Sequence, residues 1–308
     1  MKKYAFEMTS ESLARVCHVN KQYVVRSFFF VIMHVVIFRF LCCVFFFVVD
    51  QTHFAKIRAH NRYAHVPELN DILHLSGRGV REVKCLEPYV NLLATHLTSN
   101  AISSLNGLQS LRRLRSLHVA HNDLTNLNGI EKLTELRVLD VSSNTNFESI
   151  EALANHDSIE VLLCGNNKKL RCIEVLSTCQ SLTTLDCHDC NISSTSTTKE
   201  ENERILSMIC CLRDLASLNL KGNPIVTEIS QPFRTFCISK APALQNLNEI
   251  PVFSKERRIS EAYMLRGGRD AAQEEMRKIK EEEEREREEQ WEWFHQMIEI
   301  KKEKINAN

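Results

Sequence analysis

Apolar residues recur through the middle of this 308-residue chain in one fixed order. One copy takes Leu92, Leu97, Asn100, Ile102, Leu105 and Leu108. The next restarts at Leu114 with Leu117, Val119, Asn122, Leu124, Leu127 and Ile130, and a third takes Leu136, Leu139, Val141, Asn144, Phe147, Ile150 and Leu153. The step is ~22 residues, inside the ~20–29 of a solenoid unit made of one strand and one irregular return. Leu-x-Leu alternation predicts a short strand whose leucines share one face. The Asn that follows can satisfy backbone groups that the turn would otherwise bury unpaired. Apolar positions three apart then suit a 3₁₀ or irregular back rather than a long helix.

No single unit can bury its own leucines, so the units must stack. The expected fold is therefore an α/β leucine-rich repeat solenoid. A parallel β-sheet lines its concave face, 3₁₀ and short helices its convex face, and a long charged C-terminal α-helix follows. The first unit, Leu73, Leu75, Val80, Val83 and Leu86, lacks the Asn and reads as an N-terminal cap. The fifth keeps Leu162, Cys164 and Asn167 but places Leu170 one residue late, as Phe147 is in the fourth; such an insertion should bulge outward and leave the ladder intact. The sixth, Leu182, Leu185, Cys187, Cys190 and Ile192, puts Cys where Asn usually sits. A polar insert from Ser193 to Thr198 precedes a segment with helical spacing, Glu200 to Leu212. Leu215, Leu218, Leu220, Asn223, Pro224 and Ile225 end the ladder, and Phe233, Phe236, Ala243, Leu244 and Leu247 read as a closing cap. The boundaries are then 1–66 for an N-terminal lead, 67–227 for the repeats, 228–254 for the cap and 255–308 for the charged tail.

Basic and acidic residues are equal at 39 each, which leaves no global field to draw in nucleic acid. Twelve cysteines would suit a disulfide scaffold, but Cys85, Cys164 and Cys187 fall on apolar ladder positions, where a thiol is a small hydrophobe. A reducing compartment fits them better. Cys187-His188-Asp189-Cys190 has zinc-like spacing but lacks a second ligand pair, so we assign it to the ladder and its turn. Neither a nucleophile elbow nor a phosphate-cradling glycine loop is present, so the sequence gives an enzyme no residues to use and implies no cofactor.

Residues 28–49 form an almost unbroken apolar run, interrupted by His34 and Arg39, and ~20 residues can span a bilayer. Three readings compete: a membrane anchor, a helix buried against the solenoid, or a retained non-coding insert. A span would carry Arg39 near its midpoint at a cost of ~2.5–3.5 kcal/mol.

The inward leucines leave the intervening strand positions for a partner. These are His96, Thr98, His118, His121, Asp140, Ser142, Leu163, Asn166, Asp186, His188, Asn219 and Lys221, and a protein ligand is the use such rigid surfaces serve. The tail from Arg269 to Lys304 is helix-forming throughout, with Gly267-Gly268 as the hinge before it. It lacks a sustained coiled-coil repeat, so the expectation is a projecting helix carrying a short docking stripe, Trp291, Phe294, Met297 and Ile298, in place of a stripe folded back on the solenoid's end.

The ladder, together with Leu218-Asn-Leu-Lys-Gly-Asn-Pro-Ile225, Pro251-Val-Phe-Ser-Lys-Glu-Arg257, Glu261-Ala262 and the lead-in Pro67-Glu-Leu-Asn-Asp71, resembles the dynein axonemal assembly factor 1 family. Leu73-His-Leu-Ser-Gly-Arg-Gly79 resembles the family's first repeat, and Met8-Thr9, Leu13, Cys17, Asn20 and Tyr23 its beginning. About forty residues interrupt the join between that beginning and the lead-in, which supports the insert reading for residues 24–64. Leu247-Asn-Glu-Ile250 stands where the family tends to carry an acidic pair and Arg. The resemblance implies a non-enzymatic factor in cytoplasmic preassembly of dynein arms for cilia and flagella, with dynein chains, chaperones and other assembly factors as partners; the chain itself is expected to be a monomer. Two other classes stay open: a regulatory subunit of a phosphatase, and a membrane-tethered adaptor.

Overall fold

A computed structural model describes residues 69–306, apart from 84–85, 155 and 194–197. The lead at 1–66, the apolar run 28–49 and Cys85 lie outside the described residues. Among the described residues, no helix is long and apolar enough to cross a membrane.

Seven three-residue strands repeat along the chain: β1 (Ile72–His74), β2 (Ala94–His96), β3 (Ser116–His118), β4 (Val138–Asp140), β5 (Val161–Leu163), β6 (Thr184–Asp186) and β7 (Ser217–Asn219). Each pairs in parallel with the next, in chain order. Ile72 sits on Ala94, Ala94 on Ser116 and Ser116 on Val138. The register survives the late Phe147 and Leu170, since Leu139 still pairs with Leu162 and Leu162 with Leu185, and both late side chains are buried. The extra residue in each unit is absorbed in the return, as a bulge should be.

The centre of every strand points inward: Leu73, Thr95, Leu117, Leu139, Leu162, Leu185 and Leu218 form one buried row. The returns make 3₁₀ turns at Glu151–Leu153 and Glu174–Thr178, and the long sixth unit carries a true helix, α1 (Lys199–Cys210). Thr198 caps α1, its hydroxyl accepting from the Glu201 N–H, and Ile205, Leu206, Ile209 and Cys210 face the core.

The ladder Asn holds adjacent units together. Asn122 accepts from the Ile102 N–H at 3.0 Å and donates to the carbonyls of Leu97, Val119 and Ala120 at 3.0, 2.9 and 3.1 Å. Asn144 repeats the pattern, accepting from Leu124 and donating to Val119 and Val141, and Asn223 closes it with Ile192, Cys187 and Leu220. At Cys190 the thiol takes over: its Sγ donates to the Cys164 carbonyl at 3.2 Å, and burial pushes its pKa up to about 12. One residue before each ladder position the backbone turns left-handed, at Ser99, His121, Ser143, Asn166, Asp189 and Gly222, with φ between 51 and 78°. That conformation strains most side chains and is tolerated best by Asn, Asp and Gly.

The ladder ends in a cap. Helix α2 (Phe233–Lys240) leads into β8 (Asn246–Leu247), which adds to β7, and β9 (Ile250–Pro251) folds back antiparallel. Asn248 and Glu249 have φ of 51 and 66°, the positive values a two-residue hairpin requires. Pro251, lacking an N–H, occupies the edge strand, where no ladder bond is demanded of it. Phe236, Leu244 and Leu247 are buried and Phe233 and Ala243 half-buried, so the expected cap residues seal the last leucine row.

Helix α3 (Ser254–Arg266) and helix α4 (Arg269–Asn306) then form an antiparallel hairpin about Gly267 and Gly268, both at positive φ. The tail expectation needs correction here, because the first half of α4 does not project. Arg258 of α3 reaches Glu275 at 2.8 Å and Glu282 at 2.6 Å, Lys255 pairs with Glu283, and Ile279 is buried. Pairing across two helices replaces the single solvated helix because Arg258 and Lys255 are spaced to meet the acidic turns of α4 from its inner side. From residue 284 to 302 every residue except Ile298 is exposed, so the second half does stand free.

Candidate functional site

In a strand whose centre is buried, the first and third residues must point the other way. The concave face is therefore two parallel columns. The third residues give His74, His96, His118, Asp140, Leu163, Asp186 and Asn219, and the first give Ile72, Ala94, Ser116, Val138, Val161, Thr184 and Ser217. The sequence reading named the third-residue column from His96 onward, left out His74, and missed the first column. The two-residue period of the pleat would have supplied it, because the residue before each central Leu shares a face with the residue after it.

Of the expected residues, His96, His118, Asp140, Leu163 and Asp186 lie together on the face, half-buried in the sheet. Asn219 shares their column but is itself buried, its Oδ1 accepting from the Lys221 N–H at 3.3 Å. Asp140 accepts from the Ser142 N–H and Asp186 from the His188 N–H, both at 3.1 Å, so the column's acidic residues also shape the turn leaving each strand. Thr98, Ser142, His188 and Lys221 sit just past the strands. His121 and Asn166 are displaced from the sheet: they are the left-handed turn residues, exposed at the rim.

Histidine organises the N-terminal half. The His74 and His96 rings stack with centroids 4.5 Å apart, and His96 and His118 stack at 4.6 Å with 4° between their planes. In-register parallel pairing makes this stack, since His at the same position of three successive units must align. Burial first, then the neighbouring His118 and His74, lower the pKa of His96. The column continues to Asp140, whose Oδ2 lies 3.9 Å from His118 Nδ1, while Ser116 Oγ lies 2.8 Å from His118 Nε2. Ser116, His118 and Asp140 thus have the order of a proton relay, but 3.9 Å exceeds a hydrogen bond. The backbone N–H groups alongside are spent on the sheet: Leu97 and Val119 donate to the carbonyls of His118 and Asp140. The cluster offers polar and ring contacts without a preformed oxyanion site.

A second centre lies on β6. His188 Nδ1 is 2.7 Å from Asp186 Oδ1, its Nε2 is 3.1 Å from Asn166 Nδ2, and its ring rests on Gly165, where an added Cβ would come within 2.2 Å of Cε1. Cys187 and Cys190 point the opposite way, into the core, with Cys187 Sγ 3.3 Å from Cys164 Sγ. The hydrogen bond with the Cys164 thiol, then burial, raises the Cys187 pKa well above the ordinary value. The Cys-His-Asp-Cys sequence is split between two faces of the sheet. Among the described residues no group of three or more His, Cys, Asp or Glu side chains is placed to hold a metal ion.

The tail stripe forms a separate surface. Trp291, Phe294 and Met297 are exposed and Ile298 half-buried, joined by Trp293 and Ile300, which the sequence reading left out.

Residues 112–155 match the model of the family described as Leucine Rich repeats (2 copies). Over 122 residues, 40% of this chain, the sequence is 32% identical to the leucine-rich repeat-containing protein ODA7 of Chlamydomonas reinhardtii. Over 77 residues, 25% of this chain, it is 39% identical to dynein axonemal assembly factor 1 of Homo sapiens. The matched stretches span 26% of the algal protein and 10% of the human one. Among solved structures, an internalin (InlF) of Listeria monocytogenes is similar with a TM-score of 0.49 and 21% identity, over 64% of this chain and 53% of that one.

Proposed function

On the premise that the chain is a leucine-rich repeat protein similar in part to a dynein axonemal assembly factor, we propose that it is a non-enzymatic scaffold for preassembly of axonemal dynein arms. It would act in the cytoplasm of cells that build cilia or flagella, holding a dynein chain, a chaperone or another assembly factor against the concave face. The carrying observation is the continuous double column across β1 to β7. It combines stacked imidazoles, carboxylates and small residues on a backbone fixed by the Asn ladder, so a partner meets a preorganised surface and little ordering entropy is lost at the interface. His96, His118 and Asp140 form the N-terminal contact; Asp186, His188 and Asn166 form the C-terminal one. The exposed stripe on α4 is an independent second contact.

The test is a pull-down from a ciliated cell, with the native chain beside a His96→Ala, His118→Ala, Asp140→Ala variant. Recovery of dynein heavy or intermediate chains by the native protein and their loss with the variant supports the reading. Recovery of a stoichiometric phosphatase catalytic subunit in their place transfers the role to the regulatory-subunit class. Fractionation of the native protein with the high-speed membrane pellet would favour the tethered adaptor.

A further inference from the structure

Helix α4 changes character along its length. Up to Glu283 it is clamped to α3; beyond that residue it runs free and carries five large apolar side chains that are well exposed, with Trp291 at 64% and Trp293 at 61%. At about 100° per residue, Trp291, Trp293, Phe294, Met297, Ile298 and Ile300 fall within one half of the helix circumference. His295, Gln296 and Glu299 occupy the other half. Trp291, Phe294 and Ile298 follow each other at three- and four-residue spacing, the seam of a paired helix. Contiguous apolar surface of this kind on a soluble protein marks an association site.

The flanks of the stripe say what covers it. Before it, Glu281 to Glu289 contain seven Glu and two Arg; after it, Lys301 to Lys304 contain three Lys and one Glu. The segment is thus acidic at one end, apolar in the middle and basic at the other, which makes it complementary to itself in one orientation. Laid antiparallel with the crossing near Phe294, two copies bring Trp291 against Ile298 of the other and Glu288 beside Lys301 of the other. A parallel arrangement would instead place one Glu-rich turn on another. An antiparallel pair is isologous and closes on itself, so it stops at two.

We infer that the chain forms a homodimer through an antiparallel pairing of residues 284–304 of α4, with Trp291, Phe294 and Ile298 as the apolar seam and the Glu-rich and Lys-rich flanks setting the orientation. This deepens the reading of the stripe as a docking element and replaces the monomer that the sequence suggested. It is independent of the concave face, which stays open to a partner in each copy.

Sedimentation equilibrium of the full chain tests it, beside a Trp291→Ala, Phe294→Ala variant whose far-UV circular dichroism reports that α4 remains helical. The native chain should associate to two copies, and the variant should dissociate with a constant raised about tenfold or more. Zero-length carbodiimide cross-linking of mixed isotope-light and isotope-heavy chains should join Lys301 or Lys302 of one copy to Glu284, Glu286 or Glu288 of the other. Lys301→Glu with Lys302→Glu should weaken the dimer, and adding Glu284→Lys with Glu288→Lys should restore it. A native chain that stays monomeric at every concentration overturns the proposal. So does a dimer indifferent to the Ala variant, or a charge swap that fails to restore association.

Discussion

Replacing Asn122 with Ala isolates what the ladder contributes. Four hydrogen bonds are lost, but their consequences differ. The Leu97 carbonyl keeps the Asn100 amide at 2.6 Å, the Val119 carbonyl keeps the Asn144 amide at 3.2 Å and the Ala120 carbonyl keeps the Ser99 N–H at 2.9 Å. Only the Ile102 N–H, which donates to Asn122 Oδ1 inside the core, loses its partner. A buried donor left unpaired costs about 1–3 kcal/mol, and three carbonyls that each keep a second donor add a few tenths apiece, so the variant should lose about 2–4 kcal/mol. Asn122→Cys should lose about half as much, because a weak thiol donor with an acceptor sulfur already fills this place at Cys190. The measurement is urea unfolding followed by far-UV circular dichroism. Tryptophan fluorescence cannot serve, since both tryptophans, Trp291 and Trp293, lie on α4. Asn126→Ala, in the return of the same unit, where the Asn Oδ1 accepts a single exposed bond from the Asn128 N–H, is the control. If Asn122→Ala costs no more than that control, the ladder is not what couples the units.

The other predictions rest on single sites. Thr95 is fully buried in the central leucine row with an unpartnered hydroxyl, so Thr95→Val should stabilise by about 1 kcal/mol in the same urea assay. Gly165→Ala should displace the His188 ring from Asp186, changing the His188 imidazole resonances, while moving stability by no more than about 1 kcal/mol because only a side chain must give way. Gly129→Ala differs: its φ is 113° and a Cβ would come within 2.7 Å of the Leu105 backbone, so it should destabilise by about 1–3 kcal/mol or more. Burial lowers the pKa of His96, helped by His118 and His74, and lowers that of His156 against Glu131 and Asp157. The folded state therefore prefers both rings neutral. Their contribution is fully present above the ordinary value of 6.5 and is lost as pH falls through the lower folded values, so the urea midpoint should fall on acidification. Combining His96→Gln with His156→Gln should flatten that profile.

The solenoid was legible because its information is local and repeated: a leucine misread in one unit is corrected by the next. The cap and the α1 segment are not repeated but were legible because each carries its own apolar spacing; the Thr198 cap of α1, read from the sequence only as the end of a polar insert, was not. The α3–α4 hairpin was not. Arg258 reaches Glu275 and Glu282 across a turn, and Glu283 goes to Lys255, while Glu281 is held within α4 by Arg277. Periodicity within one helix contains no record of which other helix it will meet. In the candidate site, the imidazole stack follows from three aligned histidines, but the displacement of His121 and Asn166 depends on the left-handed turn one residue before each ladder position, a backbone conformation that apolar periodicity does not encode.

The Arg257 side chain joins the helical hairpin to the repeat array. Its guanidinium donates to the carbonyls of Ile238, Ala241 and Leu244, around the end of α2, while Arg234 grips Glu256 from the other side. The arm is therefore bolted to the bowl by three hydrogen bonds from Arg257 and the bidentate Arg234–Glu256 ion pair, with no slack linker between them. On the two-contact reading proposed above, a partner at the far end of α4 would sit at a set distance and angle from one against the sheet, as on a jig whose spacing is written in the length of one helix.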